Sequence, residues 1–226
     1  MKTNLIINLY VDANEQRQKE LEYCLFKNLL NSYVDHIYVF INAKDKDYYD
    51  SLPDYVYKFP KGKISYIIKE KRPTYNDFFD LTQSYLISDD SNINVISNTD
   101  IYLDETLSQV KTFYSNPGNK KTCIALCRWD LMPDGNITNY NHADSQDSWF
   151  FVGAVKKIDG ADFTLGLRGC DNHIAYLINA EGYRVINPCI VVRSIHVHNS
   201  NIRNYDLYKE SDLVKPPYLL VQPSTL

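Results

Sequence analysis

Three polar segments of the chain carry side chains whose types and spacing could do chemistry. The first is Ser97-Asn98-Thr99-Asp100, which directly follows a short apolar run. Residues two apart in an extended backbone point to the same side, so Asn98 and Asp100 could offer two oxygens to one hard cation and, through it, to a diphosphate. The same tripeptide is typical of a strand-ending turn whose side chains bond nearby amides. Taken alone, the segment favours the turn and leaves a cation site as the alternative.

The second segment is Gly166-Leu167-Arg168-Gly169-Cys170-Asp171, a glycine-containing loop that ends in a carboxylate where a helix is expected to begin. Aspartate at such a place is a preferred helix N-cap. The functional interpretation is a general base that removes a proton from a hydroxyl group. The two roles are compatible, although the helix N-terminus would keep Asp171 ionised and so lower its basicity.

The third segment is Ser194-Ile195-His196-Val197-His198-Asn199, which places two histidines on one side of a predicted strand. Surface or hydrogen-bonded histidines are the commoner case. The sharper hypothesis is that His196 or His198 completes the cation site begun by Asp100. An imidazole among oxygen ligands suits manganese better than magnesium.

Predicted strands and helices alternate around the first of these segments. Apolar runs predict strands over 5–11, 36–41, 64–68 and 93–97. The predicted helices carry apolar stripes made of Leu21, Cys24, Leu25 and Leu29, of Phe78, Leu81, Thr82 and Tyr85, and of Leu107, Val110 and Tyr114. Their N-terminal signals are Asp12 with Glu15 as a capping box, Thr74, and Asp104. This alternation indicates a largely parallel sheet flanked by helices, with ligands expected at the carboxyl ends of the strands.

The second half of the chain has a less regular pattern. After the turn at Asn116-Pro117-Gly118, strands are predicted over 123–126 and 149–155, with the polar stretch 133–148 between them. A helix over 172–180 is expected to end at Gly182, followed by short strands over 185–186 and 190–198 and an extended tail.

Composition argues against several classes of protein. The 226 residues are 44% apolar and 23% charged, as in an ordinary globular domain. The net charge of −4 argues against a nucleic-acid-binding protein. No apolar run approaches the roughly 20 residues that span a bilayer, and no signal peptide is apparent, so we expect a soluble, cytoplasmic protein without an integral membrane segment. The five scattered cysteines predict reduced, buried thiols rather than disulfides or a zinc site.

The ordered set of motifs resembles a known family. A strand-terminal Asn-x-Asp, a later Gly-x-x-Gly-x-Asp before a helix, the run AYLINAEGYRVINP and a strand carrying IHVH are similar to GT-A fold glycosyltransferases. They look closest to compact family-2-like enzymes of bacteria and large DNA viruses, over residues 4–205. The resemblance implies an α/β, Rossmann-like GT-A fold in one domain over 1–226. A nucleotide-binding half is expected over 1–115, an acceptor and catalytic half over 116–205, and a C-terminal tail over 206–226.

The resemblance also implies roles for the three segments. Asp100 becomes the metal-binding carboxylate for Mn²⁺ or Mg²⁺, while Asn98 replaces the first aspartate of the usual pattern and should weaken metal binding. Asp171 matches the catalytic base, with Asp147 as a second candidate. His196 is the preferred histidine ligand to the metal, and His198 is a close alternative.

Other positions are implied to contact the substrates. The donor-binding set comprises Tyr10, Val11, Asp12, Arg72, Tyr75, Asn76, Asn98 and Thr99. The sugar-binding set comprises Arg128, Trp129, Asp130, Trp149 and Gly169. The alternative for this second set is structural, with the two tryptophans packed in the core and Asp130 or Asp147 paired with Arg128.

The function implied is a metal-dependent glycosyltransferase that moves a sugar from a nucleotide-diphosphate sugar, UDP-linked on family frequency, to a hydroxyl of a glycan or other acceptor, with inversion. A sugar nucleotidyltransferase is one alternative, disfavoured because the stretch 10–15 lacks a glycine-rich phosphate loop. A non-catalytic nucleotide- or sugar-binding module, in which Asn98 marks lost metal binding, is the other.

Overall fold

The computed structural model describes residues 1–51, 62–84, 87, 89–200 and 212–226. The described strands are β1 (Thr3–Asn8), β2 (His36–Ile41), β3 (Ile64–Ile68), β4 (Ile93–Ser97), β5 (Ile101–Leu103), β6 (Thr122–Leu126), β7 (Trp129–Leu131), β8 (Ile137–Asn139), β9 (Ser148–Val152), β10 (Arg184–Ile186) and β11 (Ser194–His196). The described helices are α1 (Glu15–Leu30), α2 (Ala43–Asp50), α3 (Tyr75–Gln83), α4 (Leu107–Ser115) and α5 (Cys170–Ala180), with a 3-10 turn at Pro117–Asn119.

The central sheet has the strand order β10-β6-β9-β4-β1-β2-β3 among the described residues. Of these strands, β9 runs antiparallel to its neighbours β4 and β6, and the other pairs are parallel. Successive side chains of a strand face opposite sides of the sheet. Leu5 and Ile7 accordingly pack in one apolar cluster and Ile6 in another, so both faces are covered. The α/β fold with a mostly parallel sheet, predicted from the sequence, is confirmed.

A small sheet with the order β5-β11-β7-β8 stands beside the central one. Its register pairs His196 of β11 with Ile101 of β5 on one side and with Asp130 of β7 on the other. Because Asp100 directly precedes Ile101, this pairing brings Asp100 and Asp130 to the two sides of His196. Sequence patterns did not predict β5, β7 or β8, since three residues are too few to show a period.

Several element boundaries differ from the sequence prediction. β1 ends at Asn8, so residues 9–11 lie outside the strand, and the N-cap of α1 is Asn14, whose side chain accepts from the Arg17 amide. Asp12 instead accepts from the Asn14 amide at 2.9 Å. The predicted strand over 190–198 is reduced to β11, and α2 was not predicted. The expected stripe residue Tyr85 lies outside the described residues.

Helix N-caps follow the prediction in one case and differ in two. Thr74 forms the predicted cap of α3, in a capping box with Asp77. The N-cap of α4 is Thr106. Asp104 supports the preceding turn, because its side chain accepts a hydrogen bond from the Thr106 amide. The N-cap of α5 is Gly169, so Asp171 lies in the first helical turn and is not the cap.

The C-terminal segment 212–226 is held against the loops that border α5. The amide of Val214 donates to the Arg168 carbonyl at 2.9 Å, and that of Leu219 donates to Asn172 at 2.9 Å. Gly169 lies directly beneath this segment with a φ of +73°. A Cβ on Gly169 would lie 2.7 Å from the Tyr218 hydroxyl and 2.8 Å from the Val214 carbonyl. Close approach as well as backbone conformation therefore requires glycine here.

We predict that Gly169→Ala destabilises the protein more than Gly135→Ala does. Gly135 also has a positive φ, +86°, but an added Cβ there meets no described atom within 4 Å. The control should therefore lose about 1 kcal/mol for the backbone conformation. Gly169→Ala should lose about 1–3 kcal/mol more, because the C-terminal segment must shift. Urea unfolding monitored by circular dichroism measures both values, and equal losses would contradict the tight packing.

Candidate functional site

A cleft of about 810 Å³ lies where the central and small sheets meet. Its floor includes residues at the carboxyl ends of β1 and β4, where a parallel sheet is expected to bind ligands. The wall comes from β7, β11 and the loop before α5. All three polar segments singled out in the sequence border this one cleft.

Three described side chains converge on the Oδ2 atom of Asp100. Arg17 approaches it with Nη2 at 2.5 Å, His196 with Nε2 at 3.3 Å and His198 with Nδ1 at 4.0 Å. Burial would raise the pKa of Asp100, but the charges and hydrogen bonds of His196 and Arg17 hold it well below its usual range. Asp100 is therefore a carboxylate at any physiological pH.

The ring of His196 is oriented from both sides. Its Nδ1 lies 2.9 Å from Oδ1 of Asp130, and Asp130 in turn accepts a hydrogen bond from Nε of Arg128 at 2.9 Å. Burial favours the neutral ring, yet Asp100 and Asp130 raise the pKa of His196 to about 9. A metal-binding histidine commonly uses its second nitrogen on a carboxylate in this way, which fixes the ring. An ion that bound Nε2 would displace the proton that this nitrogen shares with Asp100.

The donor atoms of Asp100, His196 and His198 fit a divalent cation. One ligand atom from each lies within 4.8 Å of the others, and no other described group of three His, Cys, Asp or Glu residues meets this criterion. One carboxylate with two imidazoles suits Mn²⁺ better than Mg²⁺. Arg17 occupies the same carboxylate oxygen, so a cation would share Asp100 with a fixed positive charge.

Asn98 does not join this cluster through its amide nitrogen, which donates to Oδ1 of Asp147 at 2.7 Å. The spacing argument that paired Asn98 with Asp100 assumed an extended backbone over both residues. β4 ends at Ser97, however, and a turn separates the two side chains. Asn98 and Asp100 therefore do not lie on a common strand, and the binding of one cation by both stays a prediction.

Arg17 is a component of the site that sequence reasoning missed. It lies on α1, is 5% exposed, and donates to Glu20 at 3.0 Å and to the Val197 carbonyl at 3.2 Å besides contacting Asp100. Glu20 accepts from the Ser200 amide at 2.7 Å. Helix α1 thus connects Asp100 to the segment that follows β11. The available signal was the position of Arg17, which falls on the same helical stripe as the apolar residues of α1.

Two buried carboxyl groups form a second centre in the cleft. Burial raises the pKa of Asp147, whose Oδ2 has no hydrogen-bond partner among the described residues and lies 3.7 Å from Arg128. Burial and the neighbouring Asp147 also raise the pKa of Asp171, to about 7. The expectation that the helix N-terminus would keep Asp171 a weak base is wrong, because desolvation and the second acid outweigh the backbone amides of Gln146 and Asn172.

The remaining predicted residues divide into two groups. Those that border the cleft are Tyr10, Arg72, Asn98, Thr99, Arg128, Asp130, Trp149 and Gly169. Those outside its lining are Val11, Asp12, Tyr75, Asn76 and Trp129. The first group keeps its proposed contacts with substrate, and the second requires correction.

Three of the corrected residues are structural. Tyr75 is 0% exposed and packs edge-on against Trp149, and the Asn76 amide donates to the Ile158 carbonyl at 3.1 Å. Trp129 donates its indole N–H to the Cys189 carbonyl at 2.8 Å. These side chains make contacts inside the protein, because apolar and amide groups on strands and helices are preferentially buried. The structural alternative also describes Trp149, which is 1% exposed and reaches the cleft only at its edge.

Val11 and Asp12 leave the donor-binding set for another reason. β1 ends three residues earlier than predicted. Val11 therefore packs against the core, and Asp12 accepts a hydrogen bond from the amide of Asn14, the N-cap of α1. Tyr10 stays at the cleft, and burial raises the pKa of its hydroxyl.

Solved structures with the same architecture include nucleotide-sugar enzymes. A mannosyltransferase from Pyrobaculum calidifontis, solved with GDP-mannose and Mn²⁺, matches with a TM-score of 0.55 and 15% identity, over 90% of this chain and 58% of that chain. TarS (1–349) from S. aureus matches with a TM-score of 0.50 and 13% identity, over 90% and 59%. 4-Diphosphocytidyl-2C-methyl-D-erythritol synthase from Anaerococcus prevotii matches with a TM-score of 0.46 and 16% identity, over 93% and 92%.

The likeness to the mannosyltransferase and to TarS establishes the fold, which is the GT-A fold. The chain spans less than two thirds of the mannosyltransferase and of the TarS fragment. No family model and no curated protein sequence matches the chain. In the part of the chain that the structure describes, no helix is long and apolar enough to cross a membrane.

We predict that Arg17→Met lowers the free energy of unfolding by about 3–5 kcal/mol, because it removes the ion-pair partner of the buried Glu20 and leaves Asp100 with the histidines as its positive partners. The matched control is Lys19→Met on the same helix, whose ion pair with Glu15 is exposed. That control should change stability by less than about 1 kcal/mol. Guanidinium unfolding compares them, and similar losses would mean that the Arg17 cluster contributes no more than a surface pair.

Proposed function

We propose that the protein is a metal-dependent glycosyltransferase that moves a sugar from a UDP-linked donor to an acceptor hydroxyl, in glycan synthesis and with inversion. One observation carries the proposal: the cluster of Asp100, His196 and His198 and the carboxyl group of Asp171 border the same cleft. A transfer reaction needs a group that stabilises the leaving diphosphate and a base for the acceptor, and this cleft offers both.

Asp100 and His196, with His198 as a further ligand, would hold Mn²⁺ or Mg²⁺. The bound cation would act as a Lewis acid that stabilises the charge growing on the departing nucleoside diphosphate. Arg17 holds Asp100 in place by its contact at 2.5 Å, and Asp130 fixes the ring of His196.

Asp171 would take the proton of the acceptor hydroxyl. Its carboxyl group accepts from two backbone amides at 3.1 Å, which fixes its orientation, while Asp147 raises its affinity for a proton. A base whose pKa lies near the working pH is suited to this step. Asp147 is less suited, because its carboxyl is engaged by Asn98 and Arg128.

In this proposal the nucleotide binds at one end of the cleft, and the sugar and acceptor bind at the other. Tyr10, Thr99 and Asn98 stand beside the cation cluster, where the nucleotide and diphosphate would bind. Arg128, Asp130 and Gly169 border the region left for the sugar and acceptor. We retain 1–115 and 116–205 as the nucleotide and acceptor halves of one domain. The five cysteines are free and buried, which suits a reaction in the reducing cytoplasm.

A non-catalytic binding module is the second candidate function. It is favoured by the ion pair between Arg17 and Asp100, which compensates the carboxylate without any metal. Enzyme and module differ in whether a metal increases nucleotide binding and whether a nucleotide sugar is turned over.

We predict that UDP and Mn²⁺ together raise the melting temperature by more than the sum of their separate effects. A ligand at a hundredfold excess over its dissociation constant contributes about 2.7 kcal/mol, which thermal shift detects readily. Asp100→Asn should abolish the joint effect, whereas Asp159→Asn, an exposed aspartate, should keep it. A wild-type protein that binds UDP equally well with and without divalent metal would overturn the metal assignment.

We predict that turnover of a UDP-sugar, with water as the acceptor, rises with pH up to about 7 and then levels off. The pKa of Asp171 is raised to about 7, so its basic form is lost as pH falls through this range. Asp171→Asn should lower the rate by about 10²–10⁴-fold and remove the pH dependence, while UDP binding remains. Asp144→Asn, in the same cleft, is the control. Loss of UDP affinity in Asp171→Asn would instead indicate a structural role.

A further inference from the structure

Four arginines of the described residues border the cleft, and they differ in how their charge is compensated. Arg17 pairs with Asp100 and Glu20, and Arg128 pairs with Asp130 and lies 3.7 Å from Asp147. Within the described chain, Arg72 and Arg168 form no ion pair. Two guanidinium groups in this cleft therefore carry charge that no other described residue compensates.

Arg72 reaches the loop before α5 through a gap that only glycine provides. Its Nη2 lies 2.8 Å from the position that a Cβ would take on Gly166, where φ is +79°. The segment around Arg72 is also fixed to this loop by backbone contacts. Thr74 and Thr164 form an antiparallel bridge, and the Tyr75 amide donates to Phe163 at 3.0 Å. Arg72 is exposed to the cleft yet held against Gly166.

Arg168 is fixed at the same loop from the other direction. Its amide donates to the Asp212 carbonyl at 3.1 Å, and its carbonyl accepts from Val214 at 2.9 Å. The Nε atom of Arg168 is buried and has no hydrogen-bond partner among the described residues. A buried donor without a partner is costly, so its retention beside a cleft points to a ligand that accepts from it.

The chemistry of this pair specifies an oxyanion. A guanidinium group offers parallel N–H donors that match the oxygens of a phosphate or carboxylate, and such charge-assisted bonds are the strong ones. Arg168 lies three residues before Asp171 in the same segment, and Arg72 contacts the loop of that segment at Gly166. The cation cluster, by contrast, is carried by the small sheet and the ends of β1 and β4. The oxyanion is therefore expected beside the proposed base.

We propose that Arg72 and Arg168 form a subsite for an anionic acceptor, whose phosphate or carboxylate group they bind while its hydroxyl faces Asp171. This inference rests on the proposed function and makes it narrower, because it excludes neutral sugars as the preferred acceptors. The competing source of the same chemistry is the diphosphate of the donor, to which the family resemblance assigned Arg72. The proposal moves Arg72 from the donor to the acceptor, and the experiment below separates the two.

The test is calorimetric binding of inorganic phosphate and of glucose 6-phosphate to the full chain, with glucose as the neutral match. Each is measured for the free protein and for protein saturated with UDP and Mg²⁺. The wild type should bind both phosphates, but not glucose, whether or not UDP is present. Arg168→Gln and Arg72→Gln should each weaken phosphate binding by about tenfold or more and leave UDP binding unchanged.

Arg184→Gln is the matched control, because Arg184 is exposed on β10 and its loss changes the net charge equally. Arg168→Lys keeps the charge and should restore part of the phosphate affinity, which separates an anion contact from misfolding. Displacement of phosphate by UDP, or weaker UDP binding in Arg168→Gln, would assign the arginines to the donor and overturn the proposal. Absence of phosphate binding to the wild type would also overturn it. If no nucleotide binds, the proposed function and the assignment of the anion to an acceptor both fail. Even then, phosphate binding that is present in the wild type and lost in Arg168→Gln would establish the anion site.

Discussion

The contact between Arg17 and Asp100 is the interaction on which the site depends. It places a guanidinium from the first helix against a carboxylate that follows the fourth strand, in a setting where both side chains are largely buried. A buried carboxylate without such a partner would take up a proton or leave the interior. Because Arg17 also binds Glu20 and the Val197 carbonyl, the same guanidinium connects α1 to the strand that carries His196. Helix α1 and the small sheet are thereby held in one arrangement.

The small sheet and the C-terminal segment supply the rest of the geometry. Pairing of β11 between β5 and β7 sets His196 between Asp100 and Asp130, each of which bonds one ring nitrogen. On the opposite wall, the segment 212–226 binds the backbone on both sides of Gly169 and so fixes Arg168 and the start of α5. The small sheet carries His196 and Asp130 itself, whereas the C-terminal segment acts by fixing the loop before Asp171.

The carboxyl groups of the cleft differ in pKa because their surroundings differ. Asp100 and Asp130 face positive groups, which lower the pKa of each, whereas Asp147 and Asp171 are buried near one another and have raised pKa values. Groups of one chemical type thus divide into carboxylates with lowered pKa values and carboxyl groups with raised pKa values. Burial raises the pKa of all four. At Asp100 and Asp130 the charges and hydrogen bonds of His196 and an arginine outweigh burial, whereas at Asp147 burial outweighs the charge of Arg128, and at Asp171 the charge of Asp147 adds to burial.

The sequence by itself determined the alternation of strands and helices, the mostly parallel sheet and the three polar segments, because apolar period and strand ends are local properties. It also identified Asp100, Asp171, His196 and His198, since their spacing in the motifs is visible along the chain. Only the tertiary structure decided that Asn98 turns to Asp147, that Tyr75, Asn76 and Trp129 are used internally, and that Arg17 joins the site. It likewise decided the raised pKa of Asp171 and the uncompensated charges of Arg72 and Arg168. The physical reason is that burial and charge pairing depend on residues far apart in the chain, and no local pattern encodes which of them become neighbours.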